Sequence, residues 1–236
     1  DELERKYQRR ILETQITVNL TEKGTPDKVK YNIFKRINTG GLALSPQELR
    51  HALNPGKATK FLEKLANSKE FTRLVKLGES RKNRMDDREF ILSFLAFKLT
   101  SYKEYQDGDR DTFLHQGLVK ANKLSEAELD KIESDFKKSM VAALYIFGDY
   151  AFRKQSNKNK KKYPLNKALF ETWSAKLSEL DEQEIQKLHI HKKELIAKFI
   201  DKSDNDKDFF QSISQAANKV QNRFSTIEKI IKEVLS

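Results

Sequence analysis

The sequence predicts a mainly α-helical, multi-helix domain with a minor β element near its start. From residue 45 onward, apolar side chains recur at three- and four-residue spacing, which is the helical period. Only eight glycines and four prolines interrupt 236 residues. Earlier, Ile16, Val18 and Leu20 alternate with polar residues, which predicts a strand at about residues 15–20. We therefore divide the chain into residues 1–44, with a short helix, a strand and a loop, and a helical domain over residues 45–236.

In the first region, a charged helix is expected from Leu3 to Glu13, ahead of the strand. A single strand is not stable alone, so it either pairs with a segment missing from this sequence or forms a buried, extended linker. Both possibilities imply that neighbours have been lost. After the turn at 23–26, a short helix carries Val29 and Phe34 and ends at the Asn-Thr-Gly-Gly loop of residues 38–41.

In the second region, one segment is apolar around most of its circumference. Between Asp86 and Tyr102, apolar residues cover so many directions that we expect this helix to be central. Ser125 and Glu128 form a capping box that opens a long helix running to Ala151. The other predicted helices are marked by the apolar residues Leu49, Leu53, Phe61, Leu65, Phe71, Val75, Leu169, Trp173, Leu177, Leu188, Leu195 and Phe199. A last stripe of apolar residues at helical spacing runs from Phe209 to Val234. Within it, Ser225 and Glu228 form a pattern that allows a second helix to start.

Composition restricts the class of protein. The formal charge of +11 and pI near 9.5 are typical of polyanion binders, although a solvated basic surface has the same composition. The absence of cysteine excludes disulfides and thiolate metal sites and favours a cytoplasmic location. The longest uncharged apolar run, Met140 to Phe147, is too short to cross a bilayer, and the start lacks a signal peptide. We expect no membrane association. The missing initiator Met suggests a fragment.

Four segments carry a resemblance to a known family. The main one is Tyr-Asn-Ile-Phe-Lys-Arg-Ile-Asn-Thr-Gly-Gly at 31–41, followed by Leu-Ser-Pro-Gln-Glu-Leu-Arg at 44–50. The others are Arg-Met-Asp-Asp-Arg-Glu-Phe-Ile-Leu at 84–92, Lys-Ala-Leu-Phe at 167–170 and Asn-Arg-Phe at 222–224. Over nearly its whole length the chain resembles the helical, C-terminal part of domain-of-unknown-function family 262, the N-terminal domain of GmrSD-type restriction enzymes.

The resemblance implies a DNA-directed bacterial defence or restriction protein. The family's Asp-Gly-Gln-Gln-Arg motif, in a ParB-like fold associated with nucleotide chemistry, has no counterpart in this chain. Ser93 stands where many relatives carry Arg, and no His-Asn-His constellation follows. The resemblance therefore implies a missing N-terminal domain as partner, with a nucleoside triphosphate and a divalent metal in the complete protein but no cofactor in this chain. We expect this chain alone to be inactive, and leave open a non-enzymatic module that binds DNA or a protein.

The Asn-Thr-Gly-Gly loop has two interpretations. Asn38, Gly40 and Gly41 suit a helix end, and Ser45 with Glu48 suits the next helix start, so capping alone explains the composition. Unobstructed backbone N–H groups at the glycines would also bind phosphate. The resemblance favours the second interpretation, with a nucleotide or phosphate site formed by Arg36, Asn38, Thr39, Gly40 and Gly41.

A lysine-rich stretch is the candidate nucleic-acid site. Residues 155–164 read as an exposed loop, and a backbone-binding cluster with a stacking ring is formed by Lys158, Lys160, Lys161, Lys162 and Tyr163. A solvated loop explains the same residues, and both interpretations remain open.

Other constellations predict no site. His189 and His191 point to different faces of a helix, and no third ligand is near in sequence. Asp107, Asp109 and Asp111 imitate a calcium loop, but Leu118 replaces the bidentate Glu. Three acids, Asp86, Asp87 and Glu89, suit a helix N-terminus better than a metal site.

Overall fold

The described part of the chain is mainly helical. The computed structural model describes residues 3–18, 20, 22, 24–37, 43–159 and 161–236. Within them the α-helices are α1 Arg5–Glu13, α2 Asp27–Ile37, α3 Pro46–Leu53, α4 Lys57–Ala66, α5 Lys69–Leu74, α6 Glu79–Asn83, α7 Asp86–Leu99, α8 Arg110–Ala121, α9 Glu126–Phe147, α10 Lys167–Glu179, α11 Glu182–Ile190, α12 Lys192–Asn205, α13 Lys207–Ser212 and α14 Val220–Leu235. Short 3-10 turns lie at Tyr102–Glu104 and Gly148–Tyr150. The mainly helical class is confirmed, and no helix in these ranges combines the length and apolarity needed to span a bilayer.

The strand predicted at 15–20 is wrong. Asn19 lies outside the described residues, and its described neighbours adopt no regular structure. Ile16, Val18 and Leu20 are 79%, 68% and 89% exposed, so the alternating pattern has no buried face. Alternation makes a strand only when a second strand supplies hydrogen bonds. In the described ranges the sole β-type pairing is an isolated antiparallel bridge between Arg153 and Leu165.

Two helices, α7 and α10, pack against each other at the centre of the core. The predicted central position of α7 is confirmed, since every residue from Phe90 to Phe97 is buried. Helix α10 is buried from Ala168 to Ser178, although its sequence alternates apolar with polar residues. Its hydroxyls are satisfied within the helix: Thr172 Oγ1 donates to the Ala168 carbonyl at 2.8 Å, and Ser178 Oγ to the Ala175 carbonyl at 2.7 Å. Such internal bonds remove the cost of burying a hydroxyl.

Aromatic rings join the central pair to the surrounding helices. Phe90 of α7 meets Phe170 of α10 edge-on at 5.0 Å between centroids. Trp173 packs against Phe147 of α9 at 4.8 Å, as expected for a core residue. Phe97 contacts Phe224 of α14 at 4.6 Å. Edge-to-face pairs add about 0.5–1.5 kcal/mol each beyond area burial, so these contacts orient the helices as well as covering them.

Two predicted helix boundaries are wrong. The long helix α9 ends at Phe147, not Ala151, because Gly148 adopts a φ of 54°. The final stripe is interrupted between α13 and α14, and Ser225 lies inside α14, where its Oγ donates to the Asn222 carbonyl. Helix α14 is capped from a distance: the Asp107 carboxylate accepts the backbone N–H of Lys219 at 2.8 Å and that of Val220 at 3.3 Å. A local pattern cannot reveal a cap more than a hundred residues away.

Local capping predictions succeed elsewhere. Ser45 Oγ accepts the Glu48 N–H at 3.1 Å, and Glu48 accepts the Ser45 N–H at 2.6 Å, so the predicted capping box of α3 is confirmed. Ser125 and Glu128 form the same reciprocal pair at the start of α9.

Gly117 sets the distance between α8 and α7. A Cβ added there would lie 2.8 Å from the Ala96 Cβ and 3.0 Å from the Ala96 Cα. The two backbones therefore approach too closely for any side chain. Leu114 and Leu118 lie on either side of this contact and are fully buried.

We expect Gly117→Val to lower the free energy of unfolding by about 1–3 kcal/mol, because overpacking must push α8 away from α7. Gly24→Val is the control, since no atom of the described residues lies within 4 Å of a Cβ at Gly24. Urea denaturation followed by circular dichroism measures both. Equal stability of the two variants would contradict the close approach.

Candidate functional site

The separated segments on which the expected resemblance rests carry charged residues that form ion pairs with one another or with residues of α8 and α10. Together with Arg110 and Asp111 of α8 and Glu171 of α10, we call these residues the motif cluster: Glu48, Arg50, Arg84, Asp86, Glu89, Arg110, Asp111, Lys167, Glu171 and Arg223. Its first contact joins α3 to the turn before α7. Ser45 Oγ donates to the Arg84 carbonyl at 3.0 Å, and the Arg84 guanidinium binds Glu48 at 3.3 Å and the Ala43 carbonyl. The chain leaving the Asn-Thr-Gly-Gly loop is therefore attached to α7.

Arg50 is the centre of the α3 side. Its side chain is 1% exposed, and Nη1 lies 3.0 Å from Asp111 Oδ1 of α8. Its Nε donates to Gln47 Oε1 at 3.0 Å, while Nη2 lies 4.0 Å from Glu89 Oε2 of α7. A buried guanidinium needs such partners, because an unpaired buried charge is strongly destabilising. Arg50 thus connects three helices.

Lys167 joins α10 to the first turn of α7. Its Nζ lies 2.6 Å from Asp86 Oδ1 and 3.1 Å from Glu89 Oε1. Asp86 also accepts a hydrogen bond from Arg81 Nε at 2.6 Å. Asp86 and Glu89 lie in the first turn of α7, as predicted, where their negative charges also interact favourably with the positive end of the helix dipole. The structure adds their cationic partners from α6 and α10.

Glu171 of α10 is the deepest carboxylate of the cluster. It is fully buried between Arg110 of α8, whose Nη1 lies 2.8 Å from Oε2, and Arg223 of α14, which binds Oε1. Burial lowers the pKa of Arg223, and the charge and hydrogen bond of Glu171 oppose this shift. Burial also acts to lower the pKa of Arg110, but the Glu171 carboxylate outweighs it and raises that pKa. Both guanidinium groups therefore remain charged around one carboxylate.

Arg223 also organises the segment between α13 and α14. Its Nη1 donates to the carbonyls of Ser212 at 3.2 Å and Asn218 at 3.1 Å, and its Nη2 to that of Ala216 at 2.8 Å. The neighbouring Ala217 carbonyl accepts the Tyr105 hydroxyl at 3.0 Å. Burial raises the pKa of Tyr105 to about 12, so this phenol stays a donor at neutral pH.

The chemistry of the motif cluster is that of a paired ionic network. Each of its five carboxylates has a cationic partner. Within the described ranges, no three His, Cys, Asp or Glu side chains form a group that could hold a metal ion. Among the described residues, the buried cluster atoms without a hydrogen-bond partner include two donors, Arg110 Nη2 and Arg223 Nε, and one acceptor, Glu171 Oε2. The arrangement therefore fixes neighbouring segments mainly through its ion pairs.

Of the predicted phosphate site, Arg36 is the residue that the structure describes. Arg36 lies exposed on α2, which ends at Ile37 as expected and packs against α3. Asn38, Thr39, Gly40 and Gly41 lie outside the described residues. The attachment of Ala43 and Ser45 to Arg84 places the end of this loop beside the motif cluster.

The predicted exposed loop is confirmed, and we call residues 155–163 the lysine loop. Lys158, Lys161 and Lys162 are exposed, Tyr163 is half-buried, and Lys160 lies outside the described residues. One carboxylate holds the loop: Asp204, near the end of α12, accepts the Ser156 hydroxyl and the Asn157 N–H. These hydrogen bonds, that of Ser156 first, lower the pKa of Asp204.

The base of the lysine loop is also closed. Arg153 and Leu165 form the isolated bridge, and the Asn166 N–H donates to the Phe152 carbonyl at 2.9 Å. Two exposed rings adjoin the loop: Tyr150 is 44% and Phe210 is 48% exposed. Neither ring was identified from the sequence, because helical spacing makes Phe210 look like part of the core stripe.

The rejected constellations have structural roles in this chain. Asp107 caps α14 and Asp111 pairs with Arg50. His191 is exposed, and the half-buried His189 places Nδ1 3.2 Å from the Tyr145 carbonyl.

Comparison with known proteins yields no match: no family model, no curated protein and no solved structure is similar to this chain.

We expect Glu171→Gln to lower the free energy of unfolding by about 3–5 kcal/mol, because it leaves the buried Arg223 and the largely buried Arg110 without this carboxylate. Glu179→Gln is the control: it changes the same side chain on the same helix, but Glu179 is half-exposed and paired only with Lys176. We expect the control to cost under about 1 kcal/mol. Equal losses in urea denaturation would show that Glu171 does not carry this part of the core.

Proposed function

We propose that this chain is the helical part of a DNA-directed bacterial defence or restriction protein, resembling the GmrSD N-terminal domain family. In this proposal residues 45–236 form the helical domain and residues 1–44 connect it to a further, N-terminal domain. That domain completes a nucleotide or nuclease site beside the Asn-Thr-Gly-Gly loop. The cysteine-free composition supports a cytoplasmic location.

One observation carries the proposal: the segments that resemble the family converge. Residues from 44–50, 84–92, 167–170 and 222–224 are far apart in sequence, yet each contributes a charged side chain to the motif cluster. Residues that act as a unit are expected to meet in space. Through Arg84 the cluster also contacts Ala43, which follows the loop proposed to bind phosphate, and Arg36 lies exposed on the helix before that loop.

The carboxylates of the motif cluster are in ion pairs, which supports placing the catalytic chemistry in the further domain. Phosphoryl transfer and phosphodiester cleavage use a positioned nucleophile and charge stabilisation, commonly with metal held by carboxylates. Asp86 and Glu89 already bind Lys167, and Glu171 is enclosed by two arginines. A triphosphate and a divalent metal are therefore assigned to the complete protein, bound with residues of the further domain.

A second candidate is a non-enzymatic helical module that binds DNA or a protein partner. It is favoured by exposed apolar side chains before residue 45: Tyr7 and Ile11 lie four residues apart on α1 and are 44% and 63% exposed. The residues encoded upstream of Asp1 in the parent reading frame distinguish the enzyme from the binding module. An Asp-Gly-Gln-Gln-Arg segment there supports the enzyme, and its absence supports the binding module.

The DNA contact is assigned to the lysine loop in both candidates. Lys158, Lys161 and Lys162 are exposed on a loop whose ends are fixed, so their charges project from one place on the surface. From Asp149 to Tyr163 the chain has six basic residues and one acidic residue. Such a concentration of positive charge attracts a phosphate backbone.

We expect weak, salt-sensitive DNA binding that falls at least about tenfold at low salt when Lys158, Lys160, Lys161 and Lys162 are all changed to Gln. The matched control changes Lys60, Lys69, Lys76 and Lys193, which are exposed outside the loop, and removes the same charge. Fluorescence anisotropy with labelled DNA measures the affinities. If both quadruple variants lose affinity equally, the lysine loop is not the interface.

We also expect residues 1–236 alone neither to hydrolyse nucleoside triphosphates nor to cut plasmid DNA, with magnesium or with manganese. Asp87 provides the internal check, because it is the acid of the first turn of α7 that lies outside the ion pairs of Asp86 and Glu89. Turnover that disappears in Asp87→Asn would place the chemistry in this chain.

A further inference from the structure

Two exposed aromatic rings lie beside the lysine loop, each with a lysine over it. Phe210 of α13 lies next in sequence to Phe209, which is fully buried, so the helix directs one ring inward and the other to solvent. Lys154 Nζ lies 4.3 Å from the Phe210 centroid, and Lys162 Nζ lies 5.8 Å from the Tyr150 centroid. Because about half of each side chain remains exposed, both rings keep open surface next to a positive charge.

Lys154 is a half-buried cation with no carboxylate partner among the described residues. Its Nζ donates to Ser214 Oγ at 2.8 Å and otherwise faces the Phe210 ring. Burial lowers the pKa of this ammonium, with no opposing carboxylate. A bound phosphate would supply the missing negative charge at this position.

Contacts of the lysine loop hold the two rings and their lysines in fixed positions relative to one another. The Lys158 ammonium donates to the Asp204 carbonyl at 2.8 Å, and Arg153 Nη1 donates to the Tyr163 carbonyl at 2.5 Å. Asp204 is separated from α13 only by Asn205 and Asp206, which caps α13 through the Phe209 N–H. The loop is therefore attached at one side to the helix that carries Phe210, and at its base to the turn that ends at Tyr150.

We propose that this surface, formed by Tyr150, Lys154, Phe210 and the lysine loop, binds single-stranded DNA in preference to duplex DNA. The proposal rests on the DNA-binding function assigned above to the lysine loop. In a duplex the base faces are covered by neighbouring bases, so an aromatic side chain on the protein surface gains nothing from them. An unpaired base stacks on an exposed ring while the adjacent phosphate meets a lysine, and this interaction is tolerant of sequence.

The test compares a labelled twenty-nucleotide oligothymidine with a duplex of equal length, using fluorescence anisotropy and residues 1–236. We expect tighter binding of the single strand. The variant Tyr150→Leu/Phe210→Leu keeps apolar volume but removes both rings, so single-strand affinity should fall roughly tenfold or more while duplex affinity stays within about twofold. Tyr145→Leu is the control, since this tyrosine is 55% exposed but its ring lies against His189 of α11.

The outcomes separate this inference from the function on which it rests. Absence of salt-sensitive binding to either DNA overturns the proposed function itself. Equal binding of single strand and duplex, unchanged in the double variant, overturns only the stacking inference. Tighter binding of the equivalent oligouridine than of oligothymidine overturns the assignment to DNA. Photo-crosslinking of an iodouracil-substituted strand to the unaltered chain provides a check independent of variant folding: crosslinks at Tyr150 or Phe210 support the inference, and crosslinks confined to other residues overturn it.

Discussion

A single buried carboxylate, that of Glu171, holds together the part of the fold in which three helices meet. It lies on α10, is itself fully buried, and faces one arginine from α8 and another from α14. The cost of burying these ions is offset only while all of them are present. Held by Glu171, the Arg223 guanidinium donates hydrogen bonds to the carbonyl groups of the segment before α14. The geometry of α14, and through it the packing of Phe224 on α7, therefore depends on this interaction.

The motif cluster gives the central helices a different chemical character at one end from that in their middle. The first turn of α7 is ionic and bound to α3, α6 and α10, whereas its middle is apolar and packed with aromatic rings. An ionic network specifies orientation more narrowly than apolar contact does, because hydrogen bonds and ion pairs have directional requirements. The end of the Asn-Thr-Gly-Gly loop is attached to this ionic end through Arg84.

Sequence reasoning predicted the elements whose causes are local. The capping boxes at Ser45 and Ser125 depend on residues three apart, and the burial of α7 follows from its apolar circumference. Two of the errors have long-range causes. Residues 15–20 alternate correctly but lack a partner strand, and α14 starts at Val220 because Asp107 accepts its N–H groups. The burial of Glu171 was also not predictable from the local sequence, because the arginines that pair with it lie far away in the chain, at positions 110 and 223. Of the candidate sites, the exposed lysine loop was predictable from composition, but its two neighbouring rings required the fold.

The closed base of the lysine loop affects how this protein can change over evolutionary time. Because Arg153 and Leu165 are bridged and Asn166 is bonded to Phe152, the ends of the loop stay together whatever lies between them. Lengthening such a loop adds only a slowly growing entropy cost, about 0.6 kcal/mol for each doubling. Insertions, deletions and exchanges of charge in this segment would leave the aromatic core unaltered. Substitutions in this segment therefore disturb the fold less than substitutions in α7 and α10, which are buried.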